Sequence, residues 1–399
     1  MRGEKMMRMT PKTELENRIH RLQIQLQKEN IDGALILQNA DLYYFTGTIQ
    51  QAYFFVPAEG KPMLFVIKGL DRARKESALE GIVSIEKLRD IPVLLHDLGY
   101  TAFETIGLEA DVLPANLYTR YGKLFSSAGL VDVSGIIRSL RMVKSPYEIQ
   151  LIREAAKMSE SVFKSVRDHI KEGIKEFELV SMIEKISREN GHAGYIRPRG
   201  FNQEFGYVLL LSGPDAAETS FGSGPLGGRG ISTAYPVGSS NRQILRDEPI
   251  ILDYESWLEG YMTDMTRTFC LGKLPDYMVD AYNVAVEIQE LMIEVVKPGA
   301  VCSELYAKVF EKVQKYNLQK HFMGLEKPVQ FIAHGVGLEV DELPVVAPRV
   351  PTVIEKNMVV AIEPKFVFEN GAVGIENTYT VGEHGLEAVT VFDESIQYV

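Results

Sequence analysis

The chain has 399 residues, 45% hydrophobic and 24% charged, with a formal net charge of −11. This length accommodates two domains of ordinary size, and the acidic balance argues against nucleic acid or an anionic membrane surface as partner. Only Cys270 and Cys302 are present, too few for a disulfide framework.

Met1-Arg2-Gly3-Glu4-Lys5 is polar and leads into a charged, Leu-spaced stretch. No secretory h-region follows, and no apolar run reaches the roughly 18 residues a membrane span needs. Cytoplasm is the expected compartment. Leu15, Ile19, Leu22 and Leu26 recur at helical spacing, predicting a helix to about Glu29 that ends near Asp32-Gly33. Strand and helix signals then alternate. Ala34–Leu37 is a short apolar run and Asn39–Phe45 a capped helical turn. Tyr53–Val56 and Met63–Ile67 flank a hairpin turn at Pro57–Pro62. Ile106–Glu109 and Leu130–Val133 add two strands. Residues 1–143 are therefore expected to form an α/β domain.

At Lys144-Ser145-Pro146-Tyr147-Glu148 the pattern changes. Ser145 can cap, Pro146 suits a first helical position, and a long helix follows through Ile149, Ile152, Ala155, Ala156 and Ser159. This opens a second domain, residues 144–399. A helix over about Phe177–Glu189 comes next, then a β pattern from Phe205, interrupted by a Gly-rich loop from Ser220 to Ile231. Helices near Pro275–Val296 and on to about Tyr316 flank the turn Lys297-Pro298-Gly299, and the remainder reads mostly as strand.

Five residues of this half carry the chemistry. Asp253, Asp264, His334, Glu363 and Glu376 each lie in strand-like sequence. Carboxylates embedded in apolar strands are costly unless paired or bound to a cation. Four of them carry 4 × (−1), which two divalent ions would cancel. An oxygen-rich set with one nitrogen suits Mn, Co, Fe or Zn. The expectation is a two-metal hydrolytic centre.

Read in order, these motifs resemble the metallopeptidase family M24 with the pita-bread fold, which includes Xaa-Pro aminopeptidases, prolidases, methionine aminopeptidases and creatinase. Asp253 and Asp264 are separated by 264 − 253 = 11 positions and are followed by Thr266-Arg267-Thr268. Glu363 and Glu376 are separated by 376 − 363 = 13. Asp32-Gly33-Ala34, Asp41-Leu42-Tyr43-Tyr44-Phe45-Thr46-Gly47 and Val56-Pro57-Ala58 are similar to the creatinase/prolidase N-terminal domain. The resemblance implies an α/β creatinase-like N-terminal domain, an α+β pita-bread catalytic domain, a homodimer and a small peptide substrate. It also implies a water bridging two ions. Asp253 would chelate one ion and His334 the other, with Asp264 and Glu376 bridging. Glu363 would bind one ion and accept the proton of the attacking water.

The shell departs from that pattern. Seven positions after His334, where proline-specific members carry His, stands Asp341. Thr233-Ala234-Tyr235-Pro236 lacks the His expected upstream of Asp253, Gln330 replaces a third His, and Gly374 replaces an Arg. An ionised carboxylate cannot donate to an oxyanion, but it can accept a proton, so Asp341 is a candidate base. Tyr235 is a candidate phenolic donor. The alternative reaction is a non-peptidase lyase or hydrolase on the same cage. The dimethylsulfoniopropionate lyases are similar in placing an Asp shortly after the metal His and an acid two residues after the first ligand, here Glu255. A third reading is a non-catalytic binding protein, against which four clustered acids argue. Plainer roles are expected elsewhere: Glu255 as a solvated or hydrogen-bonded strand residue, His192 as a satisfied loop histidine, Trp257 and Cys270 in packing, and the Gly-rich loop as a rim to the site. Asp341 has its own plain alternative, a turn cap or a pair with Arg349.

Overall fold

The helix expected at the start of the chain forms as α1 (Lys12–Lys28), burying Leu15, Ile19, Leu22 and Leu26. The computed structural model describes residues 8–204 and 206–399. The polar start 1–5 and Phe205, where a β pattern was expected to begin, lie outside the described residues.

Two compact units divide at Arg141 and Met142. In the first, β1 (Gly33–Ile36), α2 (Asn39–Thr46), β2 (Gln51–Pro57) and β3 (Met63–Lys68) follow the expected order. They continue into α3 (Leu70–Glu76), β4 (Ile82–Ser84), α4 (Asp90–Asp97), β5 (Thr105–Leu108), α5 (Ala115–Leu124), β6 (Gly129–Asp132) and α6 (Ser134–Met142). The strands form one sheet in the order β4-β3-β2-β1-β5-β6. β2 runs antiparallel to both neighbours, and β4, β5 and β6 pair in parallel. Parallel pairs need crossovers, and α3, α4 and α5 lie in them. Sequence reading passed over these helices because they are short and interrupted, as by Pro92 within α4.

The second unit opens on α7 (Pro146–Arg167), with the expected Pro146 inside a capping box between Ser145 and Glu148. Then come α8 (Glu176–Glu189), β7 (Val208–Ser212), a single 3₁₀ turn at Gly213–Ala217, β8 (Pro249–Leu258) and β9 (Tyr261–Cys270). Helices α9 (Asp276–Val295) and α10 (Cys302–Lys315) precede β10 (Ala333–Gly335), β11 (Glu342–Val346), β12 (Val359–Ile362), β13 (Lys365–Phe368), β14 (Gly371–Gly374), β15 (Asn377–Val381), β16 (Leu386–Ala388) and β17 (Gln397–Tyr398).

These strands make two sheets, β17-β9-β8-β7 and β11-β10-β12-β15-β16, with β13-β14 as a separate hairpin. Val162, Phe163 and Val166 of α7 bury against Leu252, Tyr254 and Phe269 of the first sheet. Ile288 and Met292 of α9 and Val309 of α10 bury with Ile362 of the second sheet and Phe366 of the hairpin. Each sheet thus has a helical layer to cover one face, and the other face is free to carry polar side chains. The two sheets are stitched where Thr266 and Glu376 exchange both backbone hydrogen bonds, at 3.3 and 3.1 Å. Arg267, wholly buried, closes the same seam through the carbonyls of Thr266, Glu376, Phe392 and Asp393 and the side-chain oxygen of Asn377.

Candidate metal centre

Strand register brings the acids together. In the β8–β9 ladder Asp253 faces Thr266 and Glu255 faces Asp264. Alternate residues of a strand share a face, so all four side chains project from one side of that sheet. In the other sheet His334 pairs with Ala361, and Ile362 with Asn377. The next step of the second ladder sets Glu363 opposite Glu376.

Around His334 Nε2 lie Glu363 Oε1 at 3.4 Å, Glu376 Oε1 at 3.7 Å and Asp264 Oδ2 at 3.9 Å. Ligands about 2.0–2.2 Å from one ion are about 3–3.6 Å apart. The 3.4 Å approach lies within that range and the other two lie just beyond it. Asp264, His334 and Glu376 converge as a metal-ligand group. Asp264 Oδ1 and Glu376 Oε1 are buried with no hydrogen-bond partner among the described residues. Buried anionic oxygens without partners are costly, and a divalent ion at this place would satisfy them. The residues fit such an ion.

Asp253 stands apart from that group. Its Oδ1 accepts from Thr266 Oγ1 at 2.7 Å, and its Oδ2 lies 3.4 Å from Lys365 Nζ. Lys365, fully buried, also donates to Glu363 Oε2 and Glu376 Oε2, both at 2.7 Å. The lysine opens β13 directly opposite Gly374 on β14. A Cβ at Gly374 would lie 2.7 Å from Lys365 Cγ, so the bare backbone there makes room for the lysine stem. Sequence reading recorded Gly374 as a lost Arg and overlooked Lys365. The available signal was a lysine at the start of an otherwise apolar strand, two residues after a ligand.

Burial and mutual repulsion govern the charges. Burial drives Asp264 well above the carboxylate range, helped by Glu376 and Asp253. Burial also raises Glu363 to about 7, with the Lys365 ammonium pulling the other way. Glu376 resists its burial because Lys365 and then His334 hold it down, to about 2. Against the pull of burial, His334 is held up at about 10 by Glu376, Asp341 and Glu363.

An apolar cavity of ≈ 410 Å³ opens over this cluster, with Phe177, Val180, Phe331 and Val345 among its walls. The Gly-rich loop lines it through Gly222–Leu226, as a rim. Asp341 reaches the cavity, and its Oδ1 is 3.6 Å from His334 Nδ1; that ion-pair partner takes the place expected of Arg349. Tyr235 lines the cavity half-buried, its phenol raised by burial and by Glu204. Gln330 is exposed while its neighbour Phe331 lines the wall. Glu255 departs from the expectation of a solvated or hydrogen-bonded residue. It is buried against the cavity with Oε2 unpartnered, and burial followed by Asp253 raises it well above the usual range.

His192 is the satisfied histidine expected. Nδ1 accepts from Gly194 N–H at 2.8 Å, which leaves Nε2–H to donate to Glu255 C=O at 3.0 Å. Its ring stacks on Tyr207 at 3.9 Å. Burial lowers its pKa from 6.5 to about 4. The folded chain therefore refuses a proton that the unfolded chain accepts, so stability is full above the unfolded value and is lost as pH falls from 6.5 towards 4. Urea unfolding across this window should show that slope in the parent and a shallower one in His192→Gln. Equal slopes would remove His192 as the cause. Trp257 packs beside His192 and Tyr195, and Cys270 is buried.

The fold and this centre define a metallopeptidase. Residues 150–383 match the model of metallopeptidase family M24, and residues 18–143 match the creatinase/prolidase N-terminal domain. The chain belongs to metallopeptidase family M24. It is 24% identical over 380 residues to an Xaa-Pro dipeptidase of Pyrococcus furiosus, covering 94% of this chain and 98% of that protein. To an uncharacterised peptidase of Bacillus subtilis, YqhT, it is 26% identical over 366 residues, 90% of this chain and 94% of that one. The structure of an Xaa-Pro dipeptidase from Bacillus anthracis superposes with a TM-score of 0.83 at 23% identity, covering 96% of this chain and all (100%) of that one. The fold is thus the creatinase N-terminal domain joined to the pita-bread domain, as expected.

Proposed function

We propose that the chain is a divalent-metal-dependent hydrolase of small peptides, of the Xaa-Pro dipeptidase or aminopeptidase type. The observation that carries this reading is the convergence of His334 Nε2 with Asp264, Glu363 and Glu376 at the cavity, where Asp264 Oδ1 and Glu376 Oε1 have no partner among the described residues. Asp264, His334, Glu363 and Glu376 would hold the ion, and Mn, Co, Fe or Zn would suit them. When bound, a divalent ion makes water acidic enough to supply hydroxide and polarises the scissile carbonyl.

The chain's own groups do the rest. Glu363, beside the ion it would help to hold, would take the proton of the attacking water. The apolar walls exclude solvent and receive an uncharged side chain of the substrate. Tyr235, at the cavity edge, supplies a phenolic O–H where the usual imidazoles are missing. A homodimer in the cytoplasm belongs to the same proposal.

A second reading has its own support. Asp341 beside His334 and the unpartnered Glu255 Oε2 supply basic oxygens in the cavity, as a lyase or hydrolase of a small amine or thioether would need. One experiment separates the two. With Mn or Co added, a panel of Xaa-Pro dipeptides and short Xaa-Pro-initiated peptides should be cleaved at the Xaa–Pro bond, and Asp341→Asn should keep that activity within about tenfold. No turnover on the whole panel would sink the peptidase reading.

A further inference from the structure

We infer that Lys365 is a built-in cation that takes the place of one of the two metal ions, so that the centre binds a single divalent ion. This rests on the metal-dependent reading above and makes it more specific. The cluster has two cation positions, and its carboxylate oxygens divide between them. Glu363 Oε2, Glu376 Oε2 and Asp253 Oδ2 surround Lys365 Nζ at 2.7, 2.7 and 3.4 Å. Glu363 Oε1, Glu376 Oε1 and Asp264 Oδ2 surround His334 Nε2 at 3.4, 3.7 and 3.9 Å.

The first position is closed. Asp253 spends its other oxygen on Thr266 Oγ1, which also lies 2.9 Å from Glu376 Oε2. An ion there would have to displace an ammonium that is wholly buried, and a buried ammonium parted from its carboxylates is costly. The second position is open, since Glu376 Oε1, one of its oxygens, is buried with no hydrogen-bond partner among the described residues. The hairpin makes the arrangement possible. Gly374 sits across from Lys365 and leaves its stem room that a Cβ would fill.

Charge follows the same division. Four carboxylates against one ammonium and one divalent ion leave −4 + 1 + 2 = −1, a balance that one shared proton completes. Lys365 therefore neutralises charge permanently but carries no water to activate, and all hydroxide chemistry falls to the position at His334.

Equilibrium dialysis of the full chain against Mn, with elemental analysis, decides the point. The parent should bind one Mn per chain at saturation and show the simple six-line Mn resonance of an isolated ion. Lys365→Ala should bind two and show a spin-coupled spectrum. Two coupled ions in the parent would overturn the inference while leaving the peptidase reading in place. One ion with no turnover on any peptide would support the inference and remove the peptidase reading. No bound ion would overturn both. The parent alone settles the count if Lys365→Ala does not fold.

Discussion

Glu376→Gln should empty the centre of metal and reduce hydrolysis to near background. Glu376, like Glu363, is shared by both cation positions, with Oε1 towards His334 and Oε2 held by Lys365, and it is also held by Thr266. Loss of an outer partner of a metal ligand already costs about 10–100-fold in affinity or activity, and removal of a shared ligand charge should exceed that. The neutral amide keeps the shape but would place an N–H₂ towards either the ion or the ammonium. The checks are metal content after dialysis and kcat/KM with Mn at a fixed low concentration. High Mn should restore part of the activity, because the other ligands remain. Unchanged metal content and unchanged kcat/KM would remove Glu376 from the centre.

Arg267→Met should be among the most destabilising single changes in the second unit. The guanidinium donates to the carbonyls of Thr266, Glu376, Phe392 and Asp393 and to Asn377 Oδ1, all between 2.8 and 3.1 Å. Methionine fills comparable volume but takes the donor away from Asn377 Oδ1 and from the Phe392 and Asp393 carbonyls, and leaves the Thr266 and Glu376 carbonyls only each other's N–H. A buried polar group left without its partner costs about 1–3 kcal/mol, so the set together should cost roughly 3 kcal/mol or more, which in a unit of this size lowers Tm by roughly 10 °C. Arg267→Lys should recover only part, since one ammonium cannot span the fork of the guanidinium. Differential scanning calorimetry measures both, and a change below about 1 kcal/mol for Arg267→Met would contradict this account.

That these acids and His334 would be brought together was legible because β register restricts spacing, and the expectation that they hold metal came from residue type. Asp253 and Asp264 flank the turn between β8 and β9, and Glu363 and Glu376 bracket the β13–β14 hairpin. Such local ladders leave a signature in sequence separation. The helix starting at Pro146 was legible for the same reason, since its cap is made by neighbours. The other contributors come from pairing that spacing does not reveal. Lys365 reads as an ordinary strand lysine until Gly374 is placed opposite it. Glu255 reads as a surface acid until its alternation with Asp253 puts it on the inner face. Asp341 was noticed by its offset from His334, but its 3.6 Å approach to Nδ1 depends on how the loop after β10 folds back.

The stitch between Thr266 and Glu376 has a thermodynamic consequence. It joins the backbones of the two sheets at the residues that carry the acids, so the sheets cannot part without dismantling the centre. Any ion held there acts as a clasp across the seam and adds its binding free energy to the cohesion of the pair. Without the ion, the same seam is where like charges press outward. If the site holds an ion, amide exchange of β9 and β15 should slow on adding it and quicken on its removal.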